Sequence, residues 1–294
     1  MIQHARKPYT LTLRGSACVL GPRTWIMGVL NVTPDSFSDG GRFATADDAV
    51  REGLAQFEAG ADVVDVGGES TRPGAAAVGA DEEIRRVVPV IEGLRRRGAS
   101  FLSVDTTKAA VARAALDAGA DLVNDVSGFR YDAGLAPLVA QRGVPAVLMH
   151  LRGEFQSMHR QPAYADVGRE VAAELSQRMG EAERVGVART QLLLDPGLGF
   201  AKDASHTLEL VRRLPELASL GRPLLLGPSR KSFIGRVLDL PAGERVFGTA
   251  AAVAACVLGG AHIVRVHDVG PMSQVARVCD AILAAGPEAG RQSA

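Results

Sequence analysis

Short apolar runs alternate with longer amphipathic runs along most of the chain, and the alternation is repeated eight times. Short runs that are apolar throughout are typical of parallel strands buried on both faces. These predicted strands lie at residues 25–30, 62–66, 101–104, 121–123, 145–149, 191–194, 223–226 and 262–266. The amphipathic runs predict helices at residues 45–59, 81–97, 108–118, 134–142, 164–185, 205–217, 229–259 (as several segments) and 271–284.

Glycine marks the ends of several predicted helices. Residues 59–61 and 118–120 both read Ala-Gly-Ala, and Gly186 and Gly260 occupy comparable places. Glycine adopts the left-handed conformation that ends a helix at little cost. Eight consecutive strand–helix units predict an α/β protein, a single (β/α)8 TIM barrel with a short N-terminal hairpin. A doubly wound open sheet is the alternative, because periodicity alone does not close a barrel.

No linker or low-complexity segment divides the chain, so one barrel domain is predicted over residues 24–285. Residues 1–23 form an N-terminal extension, in which residues 11–22 are predicted to make a small hairpin. Residues 286–294 are predicted to be a flexible tail.

Charge and aromatic content argue against nucleic acid as a partner. Lys and Arg number 33, as do Asp and Glu, so the formal net charge is zero. No global basic field exists to hold a polyanion, and aromatic residues make up only 4% of the chain. Any anionic ligand must therefore be bound by a local site.

The cysteines and the apolar stretches indicate a cytoplasmic protein with no membrane partner. Cys18, Cys256 and Cys279 are odd in number and widely spaced, which is typical of reduced thiols. Residues 1–10 lack the apolar core of a signal peptide. The longest apolar stretch, residues 249–258, is too short to span a bilayer.

Polar residues recur where the predicted strands end, which is the end of such a barrel that carries the functional site. The acids and amide Asp105, Asn124 and Asp195 follow middle strands, and the cations Lys231, Arg265 and His267 follow the last two. Carboxylates and carboxamides hydrogen-bond an amidine-like ring edge. Cations near a helix N-terminus at Ser229 favour phosphate. The pattern predicts a planar nitrogen heterocycle beside a phosphate group.

Taken singly, these residues have ordinary structural explanations. Asp105 or Asp195 alone could cap the next helix, and His267 alone is more often structural. Lys231 alone is more often solvated than catalytic. His150, Met158 and Tyr164 are predicted to be loop or surface residues. The functional interpretation depends on the recurrence of polar groups at one end of successive strands.

Six segments of the chain resemble the dihydropteroate synthase family, and they occur in the family's order. They read NVTPDSFSDGG at 31–41, DVGGESTRPG at 65–74, NDVSG at 124–128, DPGLGF at 195–200, SRKSFIG at 229–235 and RVHDV at 265–269. The resemblance covers residues from about 25 to 269.

The resemblance implies an enzyme of folate biosynthesis. Such a transferase condenses 6-hydroxymethyl-7,8-dihydropterin diphosphate with 4-aminobenzoate, giving 7,8-dihydropteroate and diphosphate. It also implies inhibition by sulfonamides, which resemble 4-aminobenzoate. A Mg²⁺ cofactor, a homodimer and small-molecule substrates are further expectations from the family.

The family's roles transfer to matching positions of this chain. The resemblance implies catalytic roles for Asp105, Asp195, Lys231 and Asp39, and a pterin site formed by Asp105, Asn124, Met149, Asp195 and Lys231. It implies a diphosphate site of Asn31, Arg265 and His267, with Asn31 also linked to Mg²⁺. It implies a 4-aminobenzoate site of Phe37, Thr71, Arg72, Pro73, Phe200, Lys231 and Ser232, in which residues 37 and 71–73 belong to two mobile loops.

Two other functions remain open at this point. A related barrel that handles methyltetrahydrofolate has no need of a diphosphate clamp, so Lys231, Arg265 and His267 argue against it. A paralogue that binds pterin without turning it over is the second, and complementation of a strain lacking the synthase would distinguish it from the enzyme.

Overall fold

Eight parallel strands form the centre of the described part of the chain. The computed structural model describes residues 6–32, 45–70, 77–153, 158 and 163–285. An N-terminal hairpin consists of β1 (Tyr9–Leu13) and β2 (Ser16–Leu20). The parallel strands are β3 (Trp25–Asn31), β4 (Val63–Gly67), β5 (Phe101–Asp105), β6 (Leu122–Asp125), β7 (Ala146–Met149), β8 (Leu192–Asp195), β9 (Leu225–Leu226) and β10 (Ile263–Val266).

Helices follow these strands and cover the outside of the sheet. They are α1 (Ala46–Glu58), α2 (Ala80–Arg96), α3 (Ala109–Asp117), α4 (Leu135–Arg142), α5 (Val167–Arg184), α6 (Ala204–Arg212), α7 (Ser232–Leu238), α8 (Val246–Leu258) and α9 (Val269–Ala284). Short 3-10 helices lie at Arg189–Gln191, Leu214–Leu220 and Ala242–Glu244. Within the described residues, no helix is both long and apolar enough to cross a membrane.

The sheet closes into a barrel. Its strands are ordered β8-β7-β6-β5-β4-β3-β10-β9, all paired in parallel. A parallel bridge between Leu194 and Leu224 joins the two ends, and the Leu194 N–H donates to the Pro223 carbonyl at 2.9 Å. This contact excludes the open doubly wound sheet and confirms the predicted (β/α)8 barrel.

Local signals in the sequence account for several helix ends. The Thr45 side chain accepts from the Asp48 N–H, and the Asp48 side chain accepts from the Thr45 backbone, which forms a capping box before α1. Gly60 and Gly119, the centres of the two Ala-Gly-Ala signals, have φ of +106° and +112°. Only glycine adopts this conformation readily, so the predicted helix stops are confirmed.

The hairpin closes the end of the barrel where the strands begin. Leu11, Leu13 and Leu20 pack with interior side chains from the barrel strands in one buried apolar cluster. Its members from the strands include Trp25, Met27, Val63, Leu122, Val147, Leu193, Leu225 and Ile263. The hairpin begins two residues before its predicted start, and its inward face covers this end. Among the described residues, the opposite end of the barrel is therefore the one left for a ligand.

Candidate active site

The predicted polar residues gather at the open end of the barrel because parallel strands present their carboxyl ends together. Asn31, Asp105, Met149 and Asp195 are each the last residue of a strand. Strand register places Asp105 opposite Asn124, and Met149 opposite Asp195. Asp105 and Asp195 do not cap helices, because Lys108 and Asp203 occupy the N-cap positions before α3 and α6.

Arg265 joins three strands by charged hydrogen bonds. Its Nε donates to Asp65 Oδ2 at 2.6 Å, and its Nη2 donates to Asp105 Oδ2 at 2.7 Å. Asn124 Nδ2 donates to the same Asp65 oxygen at 2.8 Å. The guanidinium predicted to bind diphosphate therefore lies directly beside the acids and amide predicted to bind the ring. Burial raises the pKa of Asp105, while the positive charge of Arg265 opposes that rise.

Asp65 begins the DVGGESTRPG segment, but the sequence analysis gave it no role in the site. It is fully buried, and it holds both Arg265 and Asn124 while its other oxygen, Oδ1, has no hydrogen-bond partner among the described residues. By accepting from Asn124 Nδ2, it directs the amide oxygen of Asn124 away from itself. The available signal was its position in the fourth strand, two residues before Gly67, on the interior face.

Asp195 lies in an almost closed environment at the end of β8. Its Oδ1 accepts from the Gly197 N–H at 2.7 Å. Burial raises its pKa to about 6, although the Gly197 hydrogen bond and the charges of Lys231, Lys202 and Arg265 lower it. Asp195 is therefore mostly ionised at neutral pH and can accept two N–H groups from a ring edge.

Lys231 and Phe200 form one wall of the barrel mouth. Lys231 Nζ lies 3.9 Å from the centre of the Phe200 ring, within the range of a cation–π contact. Burial lowers the pKa of Lys231 to about 8, and the negative charge of Asp195 opposes that fall. Gly199 has φ of +75°, and a Cβ there would lie 3.5 Å from Lys231 Cδ. The turn that carries Phe200 therefore passes close against the lysine side chain.

His267 differs from the sequence prediction, which counted it among the cations. Burial lowers its pKa to about 3, and the charges of Arg265 and Arg230 lower it further. The Nδ1 atom of His267 lies 3.0 Å from Ser229 Oγ. The same hydroxyl oxygen accepts from the backbone N–H of His267 at 3.2 Å. His267 is thus neutral at physiological pH. It can offer an N–H to an anion, but it adds no charge.

An apolar patch lies next to these polar groups. Met149 packs with Val126, Leu151, Met158 and Ala201, and Phe200 lies against them. Met158 lies in a turn, as predicted, but it is buried and is not a surface residue. This patch can cover one face of a planar ring, while Asp105 and Asp195 hydrogen-bond the edge of that ring.

Comparison with known proteins agrees with this arrangement. Residues 27–267 match the family of pterin binding enzymes. Dihydropteroate synthase of Synechocystis sp. is 48% identical over 263 residues, covering 89% of this chain and 91% of that protein. The chain belongs to the dihydropteroate synthase family.

Solved structures of dihydropteroate synthases share the fold. The Yersinia pestis enzyme, solved with a sulfonamide drug complex, has a TM-score of 0.89 at 42% identity, covering 94% of this chain and all (100%) of that one. The Xanthomonas albilineans enzyme, solved with 4-aminobenzoic acid, has a TM-score of 0.87 at 44% identity, with coverages of 95% and 100%.

The remaining residues expected from the family resemblance divide into two groups. Asn31 and Ser232 lie at the end of β3 and the start of α7, at the barrel mouth. Phe37, Asp39, Thr71, Arg72 and Pro73 lie outside the described residues, so their predicted roles stay predictions.

Lys202 and His150 are further residues that the sequence analysis missed. Both are buried, and Lys202 Nζ lies 2.9 Å from His150 Nδ1. His150 and Tyr164 lie in loops, as predicted, but neither is a surface residue, because His150 is buried and Tyr164 is half-buried against Arg152. The available signal was position, since His150 directly follows the end of β7 and Lys202 follows the 195–200 turn.

Proposed function

We propose that the chain catalyses the condensation of 6-hydroxymethyl-7,8-dihydropterin diphosphate with 4-aminobenzoate, forming 7,8-dihydropteroate and diphosphate. The observation that carries the proposal is the arrangement around Arg265, whose guanidinium bridges Asp65 and Asp105 beside Asn124 in the barrel mouth. Groups that can hydrogen-bond the edge of a ring thus lie next to a group that can bind an anion. A pterin that carries a diphosphate requires both. Membership of a family of transferases named for this activity supports it.

The pterin ring is held by its edge and by its face. Ionised Asp195 accepts two ring N–H groups, and Asn124 presents its amide oxygen because Asp65 holds its nitrogen. Met149 supplies apolar contact to the ring face. Asp105 lies beside Arg265 on the same wall, where its negative charge favours positive charge that develops on the ring.

The bond from the pterin methylene carbon to the diphosphate oxygen breaks in a dissociative, SN1-like step. The electron pair leaves with diphosphate, whose growing charge is stabilised by Lys231, Arg265 and an N–H of neutral His267. The amino group of 4-aminobenzoate then donates its lone pair to the methylene carbon. It loses one proton once the C–N bond has formed. No strong base is needed, because the carbon is already cationic.

Mg²⁺ is proposed as the cofactor, held by the Asn31 amide oxygen and by diphosphate oxygens. A Cβ on Gly67 would lie 3.6 Å from Asn31 Oδ1 and 3.7 Å from Asp105 Oδ2, so glycine leaves a space between these two side chains. Among the described residues, no three His, Cys, Asp or Glu side chains group as a metal site. This donor set fits Mg²⁺, which often takes one or two protein ligands and completes its shell with phosphates and waters. When bound, it neutralises charge on the leaving diphosphate.

4-Aminobenzoate is proposed to bind beside Phe200, Lys231 and Ser232. The Phe200 ring offers a face to the benzoate ring. Lys231 Nζ lies 3.9 Å from the centre of the Phe200 ring, so the lysine adjoins the same site. Residues 37, 39 and 71–73 are proposed to complete this site from two loops. Closure of those loops would exclude water, which otherwise traps the cation.

A homodimer is proposed on the apolar surface of the last helices. Phe247 on α8 is 86% exposed and Val278 on α9 is 62% exposed, with Ile282 beside it on α9. Single exposed apolar residues are common, but several on adjacent helices favour a protein interface. Light scattering of Phe247→Asp should show a monomer where the natural chain is a dimer. A natural chain that runs as a monomer contradicts this part of the proposal.

A cytoplasmic location is proposed because the cysteines are unpaired. Cys18, Cys256 and Cys279 form no disulfide, and burial raises the pKa of Cys256 to about 12. Cell fractionation against marker enzymes tests the location, and recovery of the protein outside the cytoplasmic fraction would contradict it.

The experiment that tests the proposed activity measures diphosphate release from the pterin diphosphate. Release should require both 4-aminobenzoate and Mg²⁺, and a sulfonamide should inhibit it in competition with 4-aminobenzoate. Release that is independent of 4-aminobenzoate, or pterin binding with no turnover, would overturn the proposal.

A further inference from the structure

Lys202 is a buried amino group whose three donors are all used. Burial lowers its pKa to about 7, and the negative charges of Asp195 and Glu174 oppose that fall. Lys202 is 4% exposed and follows the 195–200 turn. Its Nζ donates to Phe200 O at 3.0 Å, to Gly197 O at 3.1 Å and to His150 Nδ1 at 2.9 Å. An ammonium group has three protons and no lone pair, so this geometry satisfies it fully.

The contact with Lys202 defines the tautomer of His150. Because Nδ1 accepts from Lys202, the ring proton lies on Nε2, which donates to Glu174 Oε2 at 3.0 Å. Burial lowers the pKa of His150 to about 4, so the ring is neutral. Glu174 is held in turn by Arg152, whose Nε donates to its other oxygen at 2.8 Å. The chain Lys202–His150–Glu174 thus anchors the lysine to helix α5.

The same lysine is connected to Asp195 through one glycine. The Gly197 N–H donates to Asp195 Oδ1, and the Gly197 carbonyl accepts from Lys202. Gly197 has φ of +68°, and a Cβ there would lie 2.2 Å from the His150 carbonyl oxygen. The turn is therefore pressed against the end of β7, and Lys202 holds it at both Gly197 and Phe200.

We propose that Lys202, oriented by His150, is a positioning residue that holds the 195–200 turn so that Asp195 and the Phe200 ring stand in substrate-binding geometry. This inference rests on the proposed function. The His150 N–H donates to the Asp195 carbonyl oxygen at 2.8 Å as part of the strand pairing. The side chains of Lys202 and His150 hydrogen-bond neither the Asp195 carboxylate nor the Phe200 ring, so both side chains act through the turn. A methionine would fill the same volume without the burial of a charge. The structure keeps a lysine here, and its three bonds all serve this turn and its anchor.

The first test compares Lys202→Met with Arg222→Met. Arg222 is also a buried cation, and it donates to the Leu192 and Thr190 carbonyls at 2.9 and 2.8 Å, at the opposite end of β8. Affinity for pteroic acid is measured by calorimetry, well below each variant's melting temperature. Lys202→Met is expected to bind about tenfold more weakly, because a turn without its donors samples other conformations. Arg222→Met is expected to lose thermal stability with affinity unchanged.

The kinetic readout separates positioning from general destabilisation. In Lys202→Met, KM for both substrates should rise more than kcat falls, since the turn contributes to both binding sites. Unchanged KM values with a lowered melting temperature, as expected for Arg222→Met, would overturn the proposal. A natural chain that binds pteroic acid but forms no product would instead refute the proposed function and leave the binding comparison intact.

A second pair of variants leaves Lys202 in place and applies even if Lys202→Met does not fold. The amide oxygen of His150→Asn can accept from Lys202 near the position of Nδ1, whereas His150→Leu has no acceptor. We expect His150→Leu to weaken pteroic acid binding about fivefold and His150→Asn to stay within about twofold of the natural chain. Equal affinities for the two variants would overturn the role of His150.

The pH dependence of binding gives a readout that packing alone would not move. The groups facing Asp195 are Lys202 beside the turn, Lys231 after β9, Arg265 on β10 and Cys256 on α8. The positive charge of Lys202 lowers the pKa of Asp195. Loss of this charge should raise the pKa of Asp195. As the pH is lowered, the affinity of Lys202→Met for pteroic acid should therefore begin to fall at a higher pH than the affinity of the natural chain. An acid limb at the same pH in both proteins would contradict the connection between Lys202 and Asp195.

Discussion

The two ends of the barrel are built from the same strands, yet their interiors are opposite in character. At the closed end, Val63, Leu122, Leu193 and Ile263 pack under the hairpin in an apolar cluster. Two residues further along the same strands stand Asp65, Asn124, Asp195 and Arg265. Because side chains two apart share one face of a strand, both sets point into the barrel. The apolar layer that stabilises the barrel and the polar layer that carries the chemistry are therefore adjacent along each strand.

The polar layer is stable only because its charges are paired. Asp65 is fully buried. The positive charge of Arg265 compensates the negative charges of both Asp65 and Asp105. Removing one partner of such a pair leaves an uncompensated buried charge, which lowers the free energy of unfolding by about 3 to 5 kcal/mol. The comparison predicts that changes in the polar layer affect activity first, and that changes in the apolar layer affect stability alone.

Arg265→Met should produce the largest effect. It leaves Asp65 and Asp105 without their cation and removes a group that faces the diphosphate. We expect turnover to fall about a thousandfold and the free energy of unfolding to fall by about 3 kcal/mol. Assay of product formation and urea denaturation check the two parts. If turnover stays within tenfold, the pairing around Arg265 is not part of the chemistry.

Leu193→Ala tests the apolar layer. Leu193 is fully buried in the cluster beneath the hairpin. Its truncation should lower the free energy of unfolding by about 3 kcal/mol through lost burial and a residual cavity. KM and kcat at a temperature well below melting should be unchanged. An altered KM would show that the two layers are mechanically coupled and would break the separation described above.

Asp105→Asn should slow the reaction with little effect on the fold. The amide keeps an acceptor for Arg265 Nη2 but loses the negative charge beside the ring. We expect turnover at saturating pterin diphosphate to fall about a hundredfold. Near-normal turnover under those conditions would argue against an electrostatic role for Asp105.

The smallest predicted effect concerns pH and has opposite signs for binding and stability. The pKa of Asp195 is raised to about 6, so its ionised fraction and pterin affinity should fall about tenfold between pH 7 and pH 5. A carboxyl group whose pKa is raised by folding adds stability below its unfolded value, near 4, and loses it as the pH rises through about 6. Acidification over this range should therefore weaken binding while this group's contribution to stability grows.

Asp195→Asn provides the reference for that measurement. Its affinity should be low and independent of pH in this range, and its unfolding free energy should lack the contribution of residue 195. If the natural chain and the variant show the same pH dependence of stability, the raised pKa of Asp195 is refuted.

The sequence predicted the architecture well because the relevant signals are local. Strand and helix order follows from runs of apolar residues and from stops such as Gly60 and Gly119. The strand ends also placed Asp105, Asn124, Asp195 and Arg265 correctly at one mouth, since parallel strands bring their carboxyl ends together. The sheet's closure at Leu194 and Leu224 was open from periodicity alone.

The errors and omissions share a cause, which is burial. His267 was predicted to be a cation, but desolvation keeps it neutral. His150 and Met158 were predicted to be loop or surface residues; both lie in loops, yet both are buried by segments far away in sequence. Asp65 was given no role because its partner Arg265 is 200 residues away in the chain.

By itself, the sequence determined the order of strands and helices, the apolar and polar layers along each strand, and the kinds of side chain at the mouth. Tertiary structure alone decided which of those side chains pair, which lose their charge and which buried residue hydrogen-bonds the 195–200 turn. The physical reason is that periodicity and turn propensity depend on neighbours in the chain. Hydrogen-bond partners and desolvation depend on atoms that only the closed barrel brings within a few ångströms.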